Sequence, residues 1–220
     1  YLDDAGATDA GAAYVYDLSS GTPTVPLHTL ANPAADAADQ FGYSVAIDAN
    51  MIVVGARVDD EGASNAGRAY VYDLSTGTPT VPVHTLNNPT PADSDNFGYS
   101  VAISGQRVAI GAYLDSTVAN SAGSVYLYDL ESAAPTTPVT ISNPTTPAAT
   151  EYFGSSLSLV GSRLIVGASG ENTGASAAGA AFVYDVTGGS PSLVRTFNNL
   201  VPAQQDRFGY AVCQQGSRIL

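Results

Sequence analysis

The dipeptide Phe-Gly recurs four times along the chain, at Phe41-Gly42, Phe97-Gly98, Phe153-Gly154 and Phe208-Gly209. Successive copies are 56, 56 and 55 residues apart, and each of the first three is followed 14 residues later by Gly-Ala. A fixed period of this length indicates one supersecondary unit copied several times. The chain is therefore expected to be a repeat array, and its fold follows from the fold of one unit.

The repeat spacing divides the chain into three whole units flanked by two half-units. The whole units are residues 41–96, 97–152 and 153–207. Residues 1–40 correspond to the second half of a unit, and residues 208–220 correspond to the first half. Together they are expected to form a single repeat domain over residues 1–220.

Each unit reads as four short β-strands, designated A to D. In the second unit, residues 97–103 and 107–112 are two runs rich in β-branched residues, joined by a tight turn at Gly105. This pattern predicts a hairpin of strands A and B. A loop rich in Asp, Asn, Ser and Gly then leads to strand C at residues 124–130, and a Pro-containing turn leads to strand D around residues 139–141.

Strand C indicates how the units pack. Aromatic residues alternate with Val or Leu in every copy, as in Tyr126-Leu127-Tyr128, so both faces of the strand are apolar and both must be covered. A repeated four-stranded antiparallel sheet that is buried on both faces is what a β-propeller blade requires, because each blade packs between two neighbours. We therefore predict an all-β propeller, or propeller segment, of about four blades, with one blade split between the two ends. A stacked β-solenoid fits the long connections less well.

The repeated pattern resembles a known family. It reads Phe-Gly-x-Ser-Val-Ala, then hydrophobic-Val-Gly-Ala, then Ala-Gly-x-Ala-Tyr-Val-Tyr-Asp-Leu, and it is similar to the FG-GAP repeat of integrin α-subunit propellers and of many bacterial extracellular proteins. The resemblance covers essentially the whole chain. One departure is the proline that follows Gly-Ala in the family, which is replaced here by Arg57, Tyr113 and Ser169.

The resemblance implies an extracellular adhesion or ligand-binding protein, often with calcium in the A–B hairpin. Such a calcium loop has an Asp-x-Asp/Asn-x-Asp-Gly character, because the ion needs several oxygen ligands on one tight turn. The corresponding turns here, such as Asp48-Ala49-Asn50 and Ser104-Gly105-Gln106, are short and poor in carboxylates. The integrin-type calcium site is therefore not expected.

Charge limits the partners of the chain. Its seven basic residues are all arginine and face 20 acidic residues, giving a formal charge of −13. Nucleic acid is excluded as an expected partner, because phosphate contacts need a basic surface. No apolar run reaches the roughly 20 residues of a membrane span, so membrane insertion is not expected.

The acidic residues are expected to gather at one end of the blades, because the B–C and D–A connections of a meander emerge on the same face. Two loops offer the best oxygen ligands for a divalent cation, with calcium as the expected ion. The candidate ligands are Asp59, Asp60, Glu61 and Asn65 in one loop, and Asp3, Asp4 and Asp9 in another. Alternatively, these residues form turns and cap local backbone groups. No catalytic residues are predicted.

The two half-units are complementary, and three interpretations stay open. The chain can be part of a longer protein, its ends can close a four-blade ring, or each half-unit can pair with the next molecule to give a head-to-tail filament. The predicted assembly interface consists of Phe208, Gly209, Tyr210, Val212, Ile219, Leu220, Tyr14 and Tyr16.

The copies are so alike that no blade looks specialised, as a comparison of residues 11–33 with 67–89 illustrates. This favours a non-enzymatic extracellular adhesion or structural assembly module, with its own copies or a cell-surface ligand as protein partners. The alternative is a lectin or cation-dependent receptor that uses the acidic face, with carbohydrate as a further partner. Tyr43, Tyr99 and Tyr210 are better placed for a ligand than the strand C aromatics, although core packing is the favoured interpretation for them.

Overall fold

The computed structural model of the chain describes residues 2–4, 6–145 and 147–220, and these residues form β-strands and no helix. The first predicted half-unit, residues 1–40, begins with Tyr1, which lies outside the described residues. The strands of the three whole units are β3 (Phe41–Asp48), β4 (Met51–Ala56), β5 (Arg68–Asp73), β6 (His84–Asn87), β7 (Phe97–Ser104), β8 (Arg107–Ala112), β9 (Ser124–Asp129), β10 (Val139–Ser142), β11 (Phe153–Val160), β12 (Arg163–Ala168), β13 (Ala180–Asp185) and β14 (Ser192–Asn198). The terminal strands are β1 (Ala12–Val15), β2 (His28–Ala31), β15 (Gln214–Gln215) and β16 (Arg218–Ile219).

Each whole unit is one blade, a four-stranded antiparallel meander in which neighbours in sequence are neighbours in the sheet. We number the blades 1 to 3 in chain order. The first strands of blades 2 and 3 pack against the first and second strands of the preceding blade, so β3, β7 and β11 form the inner edge of the array. The predicted all-β propeller architecture is confirmed, and the fourth strand of each blade lies at the outer edge.

The Phe-Gly dipeptide forms a β-bulge at the start of each inner strand. Pairing shifts between Phe97 and Ser100, and Gly98 adopts a φ of +86°, which glycine accepts without steric cost. The equivalent shift occurs in blades 1 and 3. The bulge turns the phenylalanine into the blade, where it is fully buried against strand C, as in the Phe97–Tyr126 pair with ring centroids 5.5 Å apart.

Consecutive blades touch through their backbones at this bulge. A Cβ added to Gly111 would lie 2.2 Å from the Gly154 carbonyl oxygen of the next blade. Beside it, the hydroxyl of Ser100 donates a hydrogen bond to the same carbonyl oxygen at 2.6 Å. The same bond joins Ser44 to Gly98 at 2.6 Å and Ser156 to Gly209 at 2.7 Å. The repeated serine therefore links each blade to the next.

Apolar side chains fill the space between blades. Val53, Val71 and Leu86 of blade 1 pack with Val101 and Ile103 of blade 2 in one buried cluster. The strand C aromatics are buried as predicted, and Tyr70, Tyr72, Tyr126 and Tyr128 are at most 1% exposed. The interblade core, rather than any single sheet, is thus the hydrophobic core of this molecule.

The two terminal half-units are separate two-stranded sheets, and no strand pairing joins them in the part of the chain that the structure describes. Closure into a four-blade ring is therefore not observed. At the C-terminal side, strands A and B were expected from Phe208 onward, but only β15 and β16 form, beside a single bridge between Gly179 and Phe208. These short strands have no third strand beside them to extend the ladder.

The contact at Gly111 gives a prediction about stability. Replacing Gly111 by Ala forces the blade 3 backbone away, because the new methyl group would meet the Gly154 carbonyl oxygen as well as the Ser100 hydroxyl that binds it. We expect a loss of about 2 kcal/mol or more in the free energy of unfolding, measured by chemical denaturation.

Gly77→Ala is the matched control for Gly111→Ala, because Gly77 has open space around its Cα and no positive φ. This control is expected to leave the unfolding free energy unchanged or to raise it by up to about 1 kcal/mol. Equal effects of the two substitutions would contradict the assigned interblade contact.

Candidate functional site

The B–C and D–A loops do meet on one face, and they bring acidic residues together in pairs at each blade junction. Each pair combines one residue of a D–A loop with one residue of the following B–C loop. All six carboxylate residues are at most 4% exposed. The pairs are Asp39 with Asp59, Asp95 with Asp115, and Glu151 with Glu171.

An asparagine holds the first member of each pair. Asn32 Nδ2 donates to Asp39 Oδ2 at 2.7 Å, and the backbone N–H of Asp36 donates to the same oxygen at 2.8 Å. The same two bonds hold Asp95, from Asn88 Nδ2 and the backbone of Ala92. Each of these asparagines precedes a proline, and an acidic residue follows it seven or eight positions later. That spacing was the sequence signal of this role.

The second carboxylate of each pair has different hydrogen-bond or ion-pair partners in each blade. In blade 1, Asp59 lies 3.5 Å from the guanidinium of Arg68, and the same guanidinium forms a 2.8 Å ion pair with Glu61. In blade 2, the Tyr126 hydroxyl donates to Asp115 at 2.6 Å.

In blade 3, Glu171 accepts hydrogen bonds from Asn143 Nδ2 at 3.2 Å and from the Thr173 hydroxyl at 2.8 Å. Phe182 occupies the position of Tyr126 there and offers no hydroxyl group. Blade 3 therefore replaces the tyrosine hydroxyl with the hydroxyl group of Thr173.

Burial determines the protonation of these groups. Loss of hydration raises the pKa of Asp39 to about 6, against the opposing hydrogen bonds from Asp36 and Asn32, and the nearby Asp59 raises it further. Burial likewise raises the pKa values of Asp59, Asp95 and Glu151. The predicted acidic face is thus partly internal, with its inner carboxylates packed between blades.

The predicted cation ligands serve mainly as turn formers. Asp60 accepts the backbone N–H of Asn65 at 2.6 Å, and Asp4 accepts that of Asp9 at 2.9 Å. The same turn forms in blades 2 and 3 with uncharged acceptors, from Ser121 to Ser116 and from Ala177 to Asn172, each at 2.9 Å. Since a serine or an asparagine forms the turn equally well, the fold does not need the charge there.

Asp3, the remaining predicted ligand, accepts a hydrogen bond from the Tyr14 hydroxyl at 2.8 Å. Among the described residues, His, Cys, Asp and Glu do not gather in any group of three or more that could hold a metal ion. The calcium site in these loops stays a prediction.

The predicted assembly residues lie on two incomplete blade faces. Tyr14 and Tyr16 are 47% and 49% exposed, whereas their counterparts in blades 1 and 2 are buried. With Val45 and Ile47 of β3 they line an apolar groove of about 670 Å³, which we call the N-terminal groove.

The other incomplete face is at the C-terminal side. Phe208 is 41% exposed, and Tyr210, Ile219 and Leu220 are exposed as well, whereas Val212 is partly buried. Gly209 contacts blade 3 through the Ser156 bond, as every Phe-Gly contacts the blade before it. The C-terminal half-unit is thus docked on one side and uncovered on the other.

The raised pKa of Asp39 predicts how stability depends on pH. The folded state binds the proton more tightly than the unfolded state, so this contribution is fully present below pH 3.8 and is lost as the pH rises through about 6. Asp39→Asn keeps an oxygen for both hydrogen bonds and removes the titration. We expect it to raise thermal stability at pH 7 and to flatten the profile of melting temperature between pH 4 and pH 7.

Asp93→Asn serves as the control, because Asp93 is an exposed residue of the same loop face and undergoes the same change in charge. A melting profile unchanged by Asp39→Asn would contradict the burial of a titrating carboxyl group there.

The ion pairs of blade 1 give a second prediction. Arg68→Ala leaves Asp59 without its cation, although Ala180 at the equivalent position shows that alanine fits the strand. We expect a loss of about 3 kcal/mol in unfolding free energy at pH 7. In an Asp59→Asn background the same substitution should cost much less, and equal costs in a double-mutant cycle would refute the coupling.

Comparison with known proteins agrees with this repeat architecture. A search of curated proteins gave no match. In the part of the chain that the structure describes, no helix has the length and apolar character needed to cross a bilayer. The FG-GAP repeat model matches residues 29–72, 87–128 and 144–184, which together make up more than half of the chain. The three matches fall on successive blades, each covering strands A to C, and the chain belongs to the FG-GAP repeat family.

Proposed function

We propose that the chain is a non-enzymatic, extracellular adhesion or structural assembly module that joins to further copies of itself through half-blades. FG-GAP repeats are typical of extracellular proteins, which supports the proposed location. The three blades repeat the same bulge, serine bond and turn, and their acidic pairs are packed as structural elements. A rigid array of equivalent blades suits a scaffold, whereas a catalyst would need a distinctive polar site in one blade.

The observation that carries the proposal is the match between the two uncovered faces. In each whole blade the Phe-Gly phenylalanine packs on a strand C aromatic residue, as Phe41 packs on Tyr70 with centroids 5.6 Å apart. Tyr14 occupies that strand C position in the N-terminal half-unit, and Phe208 occupies the phenylalanine position in the C-terminal half-unit. Tyr14 lacks the phenylalanine that Phe208 would supply, and Phe208 lacks the strand C tyrosine that Tyr14 would supply.

The N-terminal groove exposes the residues that the A–B hairpin of a preceding blade normally covers. Val45 and Ile47 are 60% and 61% exposed, while their counterparts Val101 and Ile103 in blade 2 are 9% and 6% exposed because blade 1 covers them. In blade 1 the covering residues include Ala46 and Val53, which correspond to Cys213 and Leu220. The backbone groups of Cys213 and Leu220 bond to each other at 2.9 Å, so this hairpin already presents both residues side by side.

Such an interface is head-to-tail and does not use the same surface on both partners. Repeated use of it gives an open polymer unless the rotation between subunits closes a ring. Burying the groove and the exposed aromatic residues of Phe208 and Tyr210 would provide the apolar area that favours association.

The test is the assembly state of the chain, measured by light scattering and electron microscopy over a range of concentrations, with and without calcium. We expect concentration-dependent polymers and their loss in Ile47→Asp, because a carboxylate at the groove cannot be covered by an apolar hairpin. Val81→Asp is the control, since Val81 is 55% exposed and does not line the groove.

Monomers at every concentration, or polymers that Ile47→Asp leaves intact, would overturn the assembly proposal. A requirement for calcium would instead direct attention to the Asp59–Asn65 and Asp3–Asp9 loops as cation sites.

A further inference from the structure

A row of tyrosines crosses the inner edge of the array at the loop-bearing end. Tyr43, Tyr99, Tyr113 and Tyr152 follow one another with ring centroids 5.2, 4.0 and 5.7 Å apart. The guanidinium of Arg57 stacks 4.2 Å above the Tyr43 ring and donates to Asn96 Oδ1 at 2.9 Å. These five residues, which we call the tyrosine cluster, come from blades 1 and 2, with Tyr152 directly before blade 3, and are partly exposed.

The blades do not need these side chains in order to fold. Blade 3 has Ser155 at the position of Tyr43 and Tyr99, and it has Ser169 at the position of Arg57 and Tyr113. Its sheet is nevertheless the same four-stranded meander with the same bulge. These positions hold serine in blade 3 and aromatic or cationic residues in blades 1 and 2. Packing therefore does not restrict them to one residue type, as it does elsewhere in the repeat.

The backbone of Tyr152 adopts a conformation that is unfavourable for an aromatic residue. The residue before each Phe-Gly has a left-handed φ of about 55–57°, and in the other blades it is Gln40, Asn96 or Arg207. A bulky aromatic residue in this region is uncommon, whereas asparagine is accepted easily. Strain of this kind clusters at binding sites and is a reason to look for a ligand there.

The cluster also contains an unpaired donor and an unpaired acceptor. Phe41 pairs with Ala56 across the sheet, so Gln40 and Arg57 are the next residues beyond that pair on adjacent strands. Arg57 Nε and Gln40 Oε1 are both buried and have no hydrogen-bond partner among the described residues. Buried polar atoms normally have partners, so two such atoms beside one aromatic row call for an explanation.

We propose that the tyrosine cluster binds a neutral carbohydrate. A pyranose ring offers an apolar C–H face that packs on aromatic rings, and its hydroxyl groups both donate and accept hydrogen bonds. Sugar hydroxyl groups can pair with Arg57 Nε and Gln40 Oε1 once these partly exposed side chains turn toward the ligand. The net charge of −13 disfavours an anionic glycan in spite of Arg57. This site is separate from the half-blade faces of the proposed assembly.

The experiment measures retardation of the chain in native gels that contain a soluble β-glucan, an α-mannan or a galactan, with polygalacturonate as the anionic comparison. We expect retardation by at least one neutral polymer. Tyr99→Ser and Tyr113→Ser should each weaken that affinity by about tenfold, since each removes one stacking ring. Both variants introduce the residue that blade 3 already has at the same position, so the fold is expected to tolerate them.

Phe197→Ser is the control variant, because Phe197 is a 38% exposed aromatic residue on the outer strand of blade 3. It should bind like the unchanged chain, and melting curves of all variants check that they are folded. Three outcomes would overturn the proposal: no retardation by any neutral polymer, undiminished binding by folded Tyr99→Ser and Tyr113→Ser, or binding only to polygalacturonate. None of them bears on the assembly state, which is measured separately.

Discussion

The structure depends on the close backbone contact between each blade and the next at the inner edge of the array. The glycine of Gly-Ala in one blade faces the carbonyl oxygen of the Phe-Gly glycine in the following blade, with no room for a side chain. The serine hydroxyl beside it donates to that same oxygen. The signature residues of the repeat thus act between blades, and the apolar core can form only where a neighbouring blade is in place.

This arrangement explains why charged groups become buried in so acidic a chain. When the inner edges approach, the D–A loop of one blade and the B–C loop of the next are brought together, and their carboxylates lose water. Desolvation favours the protonated form, and the asparagine bonds only partly oppose it. The three junctions resolve the conflict with an arginine, a tyrosine hydroxyl and a threonine hydroxyl, respectively. Each blade therefore uses a different neighbouring group to offset the same free-energy cost of burying its carboxylates.

The repeats differ most where no neighbour constrains them. The Phe-Gly phenylalanine and the strand C apolar positions vary little, because each fits a space defined by the adjacent blade. Around the inner rim at the loop-bearing end, by contrast, the same position holds tyrosine, serine or arginine. Variation at such positions within one regular scaffold is how a repeat protein acquires a local site without altering its fold.

The sequence by itself determined the period, the four strands of each blade, the interblade burial of the strand C aromatics and the convergence of the acidic loops. All of these follow from local spacing and alternation, which a single unit already displays. The spacing of Asn32, Asn88 and Asn143 from acidic residues is visible in the sequence, but only the structure showed that these asparagines hold the carboxylates and that Arg68 neutralises one of them.

Only the tertiary structure decided which acidic residues are buried and which form surface turns, because burial depends on how the next blade lies against the loop. It alone showed that the terminal half-units remain separate, and that tyrosines of two blades form one row. These features arise between units 56 residues apart, where sequence spacing carries no information on distance.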